Sequence, residues 1–126
     1  MELPTELFYT KEHEWISGKS GNVKVGVSAF AIEQLGDIVH VDLPNVGDEI
    51  AAGDPFGSIE STKTVSDLYA PGTGKVVEVN SSIVDAPEAL QEDAYDEGWL
   101  VKIELNTAIS ECMTSEEYEN YLKNEE

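Results

Sequence analysis

Lys63 is the residue in this sequence whose chemistry depends most on where it stands. It lies in Ser61-Thr62-Lys63-Thr64, a short polar connection between two β-prone runs, Phe56 to Glu60 and Val65 to Ala70. Such a connection reads as a tight hairpin that projects the lysine from a rigid scaffold into water. No acidic residue stands within two positions of it; Glu60 lies three before and Asp67 four after. An exposed amine of this kind suits acylation, because a modifying enzyme can reach it. A group attached there swings from a fixed root, which raises its effective concentration at each active site it visits. A lysine on a helix would be more crowded by its i±3 and i±4 neighbours. The same features also describe an ordinary solubilising lysine in a turn. Spacing alone does not separate the two readings.

Other reactive residue types are sparse and scattered. His13 and His40 are far apart, and His40 alternates with valines as an outward strand residue would. Cys112 is the only cysteine, so neither an internal disulfide nor a four-ligand zinc site is available. No nucleophile–base pair or metal cluster emerges from the sequence, which argues against an enzyme acting alone. Charge points elsewhere. There are 26 acidic residues against seven lysines and no arginine, a formal net charge of -19. That surface repels phosphate backbones and anionic lipid headgroups, which excludes nucleic-acid and membrane-surface binding. It favours partners with basic docking faces, although an acidic protein that is simply well solvated has the same composition. No apolar run approaches the roughly 20 residues of a membrane span. The start, MELPTELFYTKEHEW, shows neither a secretory signal nor an arginine-rich transit peptide. A cytoplasmic location is expected, and a processed organellar form would look the same.

The elements that must position Lys63 are mostly short strands. Val23, Val25 and Val27 alternate with Lys24 and Gly26. Val39, Val41 and Leu43 alternate with His40 and Asp42, and Trp99, Val101, Ile103 and Leu105 with Leu100, Lys102 and Glu104. Period-two patterning places one set on a core face. Val76, Val77 and Val79 mark a further β-branched segment. Turn signals at Ser17-Gly18, Pro44-Asn45, Gly53-Asp54 and Pro71-Gly72 separate these runs. The spacing predicts a β-sandwich or barrel. Ser28 caps an expected helix over 28–35, ended by Gly36. Pro87 to Gln91 suits one acidic helical turn. A C-terminal helix is expected over 114–123, capped by Thr114 or Ser115. Its Tyr118, Tyr121 and Leu122 share one face that should pack on the β-body. The length of 126 residues suits one domain, 1–126.

Four blocks, in order, carry a resemblance across almost the whole chain. They are FYTKEHEWI, with His13-Glu14-Trp15 at its centre, GVSAFAIEQLGDIVHVDLPNVGDEI, IESTKTVSDLYAPGTGKVVEVN and EDAYDEGWLVKIEL. Together they resemble the H-protein family of the glycine cleavage system. The resemblance implies a mainly β fold, a flattened lipoyl/biotinyl-type barrel of two antiparallel sheets. It implies that Lys63 carries one covalent lipoate through an amide bond. It also implies a monomeric carrier that performs no reaction by itself. In the implied cycle a pyridoxal-phosphate glycine decarboxylase loads an aminomethyl group onto the dithiolane. A tetrahydrofolate-dependent aminomethyltransferase takes the one-carbon unit and releases ammonia, and a flavin-dependent dihydrolipoyl dehydrogenase reoxidises the dithiol. A lipoate ligase or a lipoyl/octanoyl transferase would install the arm.

Related scaffolds differ at the lysine. Biotin carriers usually flank it with methionine, where this chain has Thr62 and Thr64. Lipoyl domains of 2-oxoacid dehydrogenases usually read Glu-Thr-Asp-Lys-Ala beside linkers and catalytic domains; here the run is Glu-Ser-Thr-Lys-Thr without either. The resemblance also implies a sheltered state, in which the loaded arm folds back on the protein. Glu14 and Asp67 match positions that offer its amine carboxylate contacts, yet surface acids are common in this chain. Glu12 departs from the small hydroxyl residue often found before His-Glu-Trp; an extra carboxylate there either adds to amine binding or is solvated. Thr62 and Thr64 depart from the usual valine and alanine, and modification is expected to survive that. Asp93, Asp96 and Glu97 are docking candidates or a solvated loop. An alternative function with the same lysine is a relay of lipoyl or octanoyl groups in lipoate metabolism.

Overall fold

The alternating valine runs fold as strands, and a computed structural model describes residues 3–125. In chain order the elements are β1 (Phe8–Tyr9), β2 (Glu14–Ile16), β3 (Asn22–Val27), α1 (Ala29–Leu35), β4 (Ile38–Asp42) and β5 (Glu49–Ile50). They continue with β6 (Pro55–Ser61), β7 (Val65–Tyr69), β8 (Gly74–Val79), α2 (Ser81–Asp85), α3 (Ala89–Glu92), β9 (Val101–Leu105) and α4 (Ser115–Glu125). Among the described residues the strands form two antiparallel sheets. One has six strands in the order β1-β2-β3-β9-β8-β5, the other three in the order β4-β6-β7. The layout is mainly β, of the flattened lipoyl type, with the two sheets left unclosed.

The core lies between the sheets. Ile16, Val25, Val76, Val101 and Ile103 from the large sheet are fully buried against Val41, Ile59 and Leu68 from the small one. β9 shows the expected alternation, with Val101, Ile103 and Leu105 buried and Glu104 exposed. β4 departs from it. The pattern predicts Val39, Val41 and Leu43 on one face, but the register of β4 against β6 shifts between Ile38 and His40. A bulge there resets the side-chain alternation. Ile38 and Val41 therefore point into the core, and Val39 is 50% exposed. A second shift between Val76 and Glu78 leaves Val77 exposed while Val76 is buried.

The helices follow their caps. The Ser28 hydroxyl accepts from the Ala31 N–H at 3.2 Å, and the Gly36 N–H closes α1 on the Ile32 carbonyl at 3.1 Å. α4 starts with a reciprocal pair. The Glu117 N–H donates to the Thr114 hydroxyl at 3.2 Å, and the Thr114 N–H donates to the Glu117 carboxylate at 2.9 Å. The Tyr118 and Leu122 face packs on the β-body as predicted, in a second cluster with Leu7, Tyr9 and Trp15. The Tyr118 ring stacks on Tyr9, with centroids 4.8 Å apart and planes 3° from parallel. Trp15 lies over Gly26, its register partner on β3. A Cβ on Gly26 would come within 2.5 Å of the indole, so only glycine leaves room for this close packing.

Candidate functional site

Lys63 stands at the tip of the β6–β7 hairpin, as its surroundings in the sequence predict. Ser61 holds that tip. Its buried hydroxyl accepts the N–H groups of Lys63 and Thr64, each at 3.1 Å, and its backbone N–H donates to the Thr64 carbonyl at 2.8 Å. Thr62 is tied to the end of α1 through its N–H, which donates to the Asp37 carbonyl at 3.0 Å. Gln91 on α3 braces the same strip from below: its amide accepts the Ile38 N–H at 3.3 Å and donates to the Gly36 carbonyl at 3.2 Å. The lysine stem lies across Gly36, which has φ of +89°; a Cβ there would meet the Lys63 Cε at 3.0 Å. Lys63 itself is exposed.

Beside this platform is a cavity of about 560 Å³. One wall is a face of α1, with Phe30, Ala31, Gln34 and Leu35. Opposite stand Ile59 of β6 and Ser66, Asp67 and Leu68 of β7. Glu12, His13 and Glu14 border it as well. The cavity thus extends along α1 from Leu35, next to the glycine under Lys63, to Glu14. The structure brings the predicted Glu14 and Asp67 to one site, in unlike settings: Asp67 is an exposed rim residue, and Glu14 is only 2% exposed.

Glu14 is buried because of its strand position. On β2 it shares a face with Ile16, which belongs to the core between the sheets. Its Oε2 accepts the Tyr69 N–H of β7 at 2.7 Å and so links the two sheets. Its Oε1 is buried without a hydrogen-bond partner. Burial disfavours the ionised form and pushes the carboxyl up to about 8; the Tyr69 N–H opposes this and the Glu12 charge adds to it. The site therefore ends in a carboxyl group that gains from meeting a cationic hydrogen-bond donor. A second cavity, of about 760 Å³, touches Glu12 and Glu14 from the other side, between Tyr69, Glu111 and Cys112.

His40 is exposed on β4, and Cys112 lies in the second cavity, so neither joins the Lys63 platform. The Asp93 carboxylate accepts the N–H groups of Tyr95, Asp96 and Glu97, which orders the acidic loop. That loop serves the site from behind: the Tyr95 hydroxyl accepts the Ala29 N–H of α1 at 2.9 Å, and the Trp15 indole N–H donates to the Ala94 carbonyl at 2.9 Å. Among the described residues no group of three or more His, Cys, Asp or Glu side chains could hold a metal ion. The sequence reading missed Ser61, Gln91 and Tyr95 as supports. Their contacts join segments 53 to 66 residues apart, or the two ends of a turn, and no local pattern marks them.

A hairpin lysine rooted beside a long cavity with a buried carboxyl, on a mainly β scaffold, is an arrangement that suits a swinging-arm carrier domain. The family model described as glycine cleavage H-protein matches residues 7–125. A glycine cleavage system H protein of Listeria monocytogenes serotype 4b is 50% identical over 124 residues, covering 97% of this chain and 99% of that protein. One from Bacillus licheniformis is 50% identical over 125 residues, with 98% of each chain covered. The crystal structure of a glycine cleavage system H protein from Mycobacterium marinum superposes with a TM-score of 0.91 at 43% identity, covering 96% of this chain and 99% of that one. The chain belongs to the glycine cleavage H-protein family. Its function is that of the family, a lipoyl carrier subunit working with the other components of the glycine cleavage system. The comparisons do not favour the lipoate-relay alternative.

Proposed function

We propose that Lys63 is the residue that carries the lipoate, in amide linkage, and that the cavity along α1 receives the loaded arm. The observation that carries this reading is the joint placement of an exposed lysine stem on Gly36 and a cavity lined from Leu35, the neighbour of that glycine, to Glu14, whose Oε1 is buried without a partner. The attached dithiolane would supply the disulfide that accepts an aminomethyl group and the thiols that are later reoxidised. The chain's own residues supply position and shelter. Ser61, Asp37 and Gln91 fix the root of the arm. Phe30, Ala31, Leu35, Ile59 and Leu68 offer it an apolar trough that limits contact with water. Glu14 and Asp67 meet the cationic amine of the cargo. Pairing there lets Glu14 ionise, since an ammonium partner offsets the cost of burying its charge.

In this reading the chain catalyses nothing alone and acts as a monomer in the cytoplasm. It moves between a pyridoxal-phosphate glycine decarboxylase, a tetrahydrofolate-dependent aminomethyltransferase and a dihydrolipoyl dehydrogenase, after loading by a lipoate ligase or a lipoyl/octanoyl transferase. No described helix is long and apolar enough to cross a membrane. Incubation with lipoate ligase, lipoate and ATP should add one lipoyl mass to the peptide that contains Lys63. Lys63→Ala should gain nothing. An unmodified Lys63 under conditions that label another H protein would overturn the assignment. The shelter is tested by hydrolysis of the aminomethyl-loaded form. Glu14→Ala should release its cargo about tenfold faster, on the scale of one lost charge-assisted hydrogen bond; equal rates would remove Glu14 from the role.

A further inference from the structure

The cavity has two walls that the chain must hold at a set distance. One is the turn carrying Glu12, His13 and Glu14, and the other is the first part of α1, with Phe30 and Ala31. Beside one direct backbone bond between them, a hydroxyl from outside both walls bridges them. The Tyr118 hydroxyl of the C-terminal helix lies 2.8 Å from the His13 Nδ1 and 2.8 Å from the Ser28 hydroxyl. Ser28 is the cap of α1. Its own N–H donates to the His13 carbonyl at 2.9 Å. His13 sits in the left-handed region with φ of +66°, a conformation that a non-glycine residue keeps only where its surroundings hold it. Its ring packs against Phe30 of the cavity wall, with centroids 5.2 Å apart, and against Tyr118 and Tyr121 on α4.

We propose that Tyr118 is a positioning residue for the arm cavity: its hydroxyl ties the Glu12–Glu14 turn to the cap of α1 and fixes the gap into which the arm folds. The sheltering role of that gap rests on the function proposed above; the strut itself does not. The rest of α4 packs with Leu7, Tyr9 and Trp15, outside the main core. The helix meets the site through the Tyr118 hydroxyl, through the His13 ring that Tyr118 and Tyr121 both touch, and through Phe30, which packs against the same cluster.

Tyr118→Phe keeps the stack on Tyr9 and removes only the hydroxyl. Leu122→Val loosens the same helix without touching the bridge, and serves as the control at similar loss of thermal stability. The first readout is the titration of the Glu14 carboxyl, followed by carbon NMR in the unlipoylated chain. Glu14 faces Glu12, His13 and Asp67 across the arm cavity and Lys11, Glu111 and Cys112 across the second one. In Tyr118→Phe the turn loosens and water gains access, which weakens the burial that dominates the Glu14 shift, so the Glu14 midpoint should fall toward the ordinary carboxylate range. Leu122→Val should keep the wild-type midpoint. The second readout is hydrolysis of the loaded arm, expected to quicken roughly fivefold in Tyr118→Phe alone, on the scale of one net hydrogen bond. A wild-type Glu14 midpoint in Tyr118→Phe, or an equal shift in both variants, would overturn the strut. A lowered midpoint with unchanged hydrolysis would uphold the strut and overturn the sheltering role of the cavity.

Discussion

Glu14 shows how far a strand position can move the chemistry of one side chain. In the sequence it is one acid of 26. On β2 it faces the core side, and burial raises its carboxyl from an ordinary 4.5 to about 8. The linkage has a definite sign. Between those values the folded chain holds a proton that the unfolded chain has lost. The stability carried by the uncharged carboxyl is therefore complete below about pH 4.5 and drains away as pH rises to about 8. Glu14→Gln keeps the acceptor for the Tyr69 N–H and has no proton to lose. Melting curves should show the wild type losing ground to Glu14→Gln between about pH 5 and pH 8, with a constant gap above that. A gap independent of pH would mean that Glu14 ionises as an exposed acid does. In the function proposed above the same proton is the one that an arriving ammonium group would displace.

At the scale of elements, the β6–β7 hairpin depends on a side chain that the sequence does not advertise. The Ser61 hydroxyl serves two N–H groups of the tip at once. Ser61→Ala should cost about 1 kcal/mol, and the Lys63 and Thr64 amides should exchange hydrogen about fivefold faster. Unchanged exchange would mean that water replaces the hydroxyl without loss. This element marks the boundary between what could and could not be read in advance. The hairpin, the Ser28 cap and the Thr114 start of α4 were legible because their signals are local: a polar connection between β-prone runs, or a hydroxyl at a helix start. The face of Val39 was misread because a bulge adds one residue to the strand and leaves no mark in its composition. Lys63 was legible as suitable, and became a specific expectation only through the four-block resemblance. Glu14 and Asp67 came from that resemblance too, but the burial of the one and the exposure of the other depend on how two sheets face each other. The Gln91 brace and the Tyr118 bridge join residues 53 to 105 positions apart, beyond the reach of any period in the sequence.

At the scale of the whole molecule the acidic excess acts in two opposed ways. Seven lysines face 26 acids. Among the described residues Lys102 pairs at the surface with Glu78 at 2.9 Å and Lys123 with Glu119 at 3.6 Å, where solvent leaves such pairs worth little. The remaining charge repels itself most in the folded state, where it is held closest together. Added salt shortens the range of that repulsion, from about 30 Å at 0.01 M to about 10 Å at 0.1 M. Potassium chloride raised across that range should therefore increase the melting temperature, by about 4 °C for each kcal/mol of repulsion removed in a chain of this size. In the function proposed above, docking on a basic partner would use the same charge in attraction, and the association rate with a glycine decarboxylase is then expected to fall over the same range. Thermal melts and stopped-flow association in one salt series test both. Opposite responses would show one charged surface taxing the fold and steering the shuttle. An association rate that ignores salt would assign docking to the apolar surroundings of Lys63, such as the exposed Val65 and Val39, instead of the acidic field.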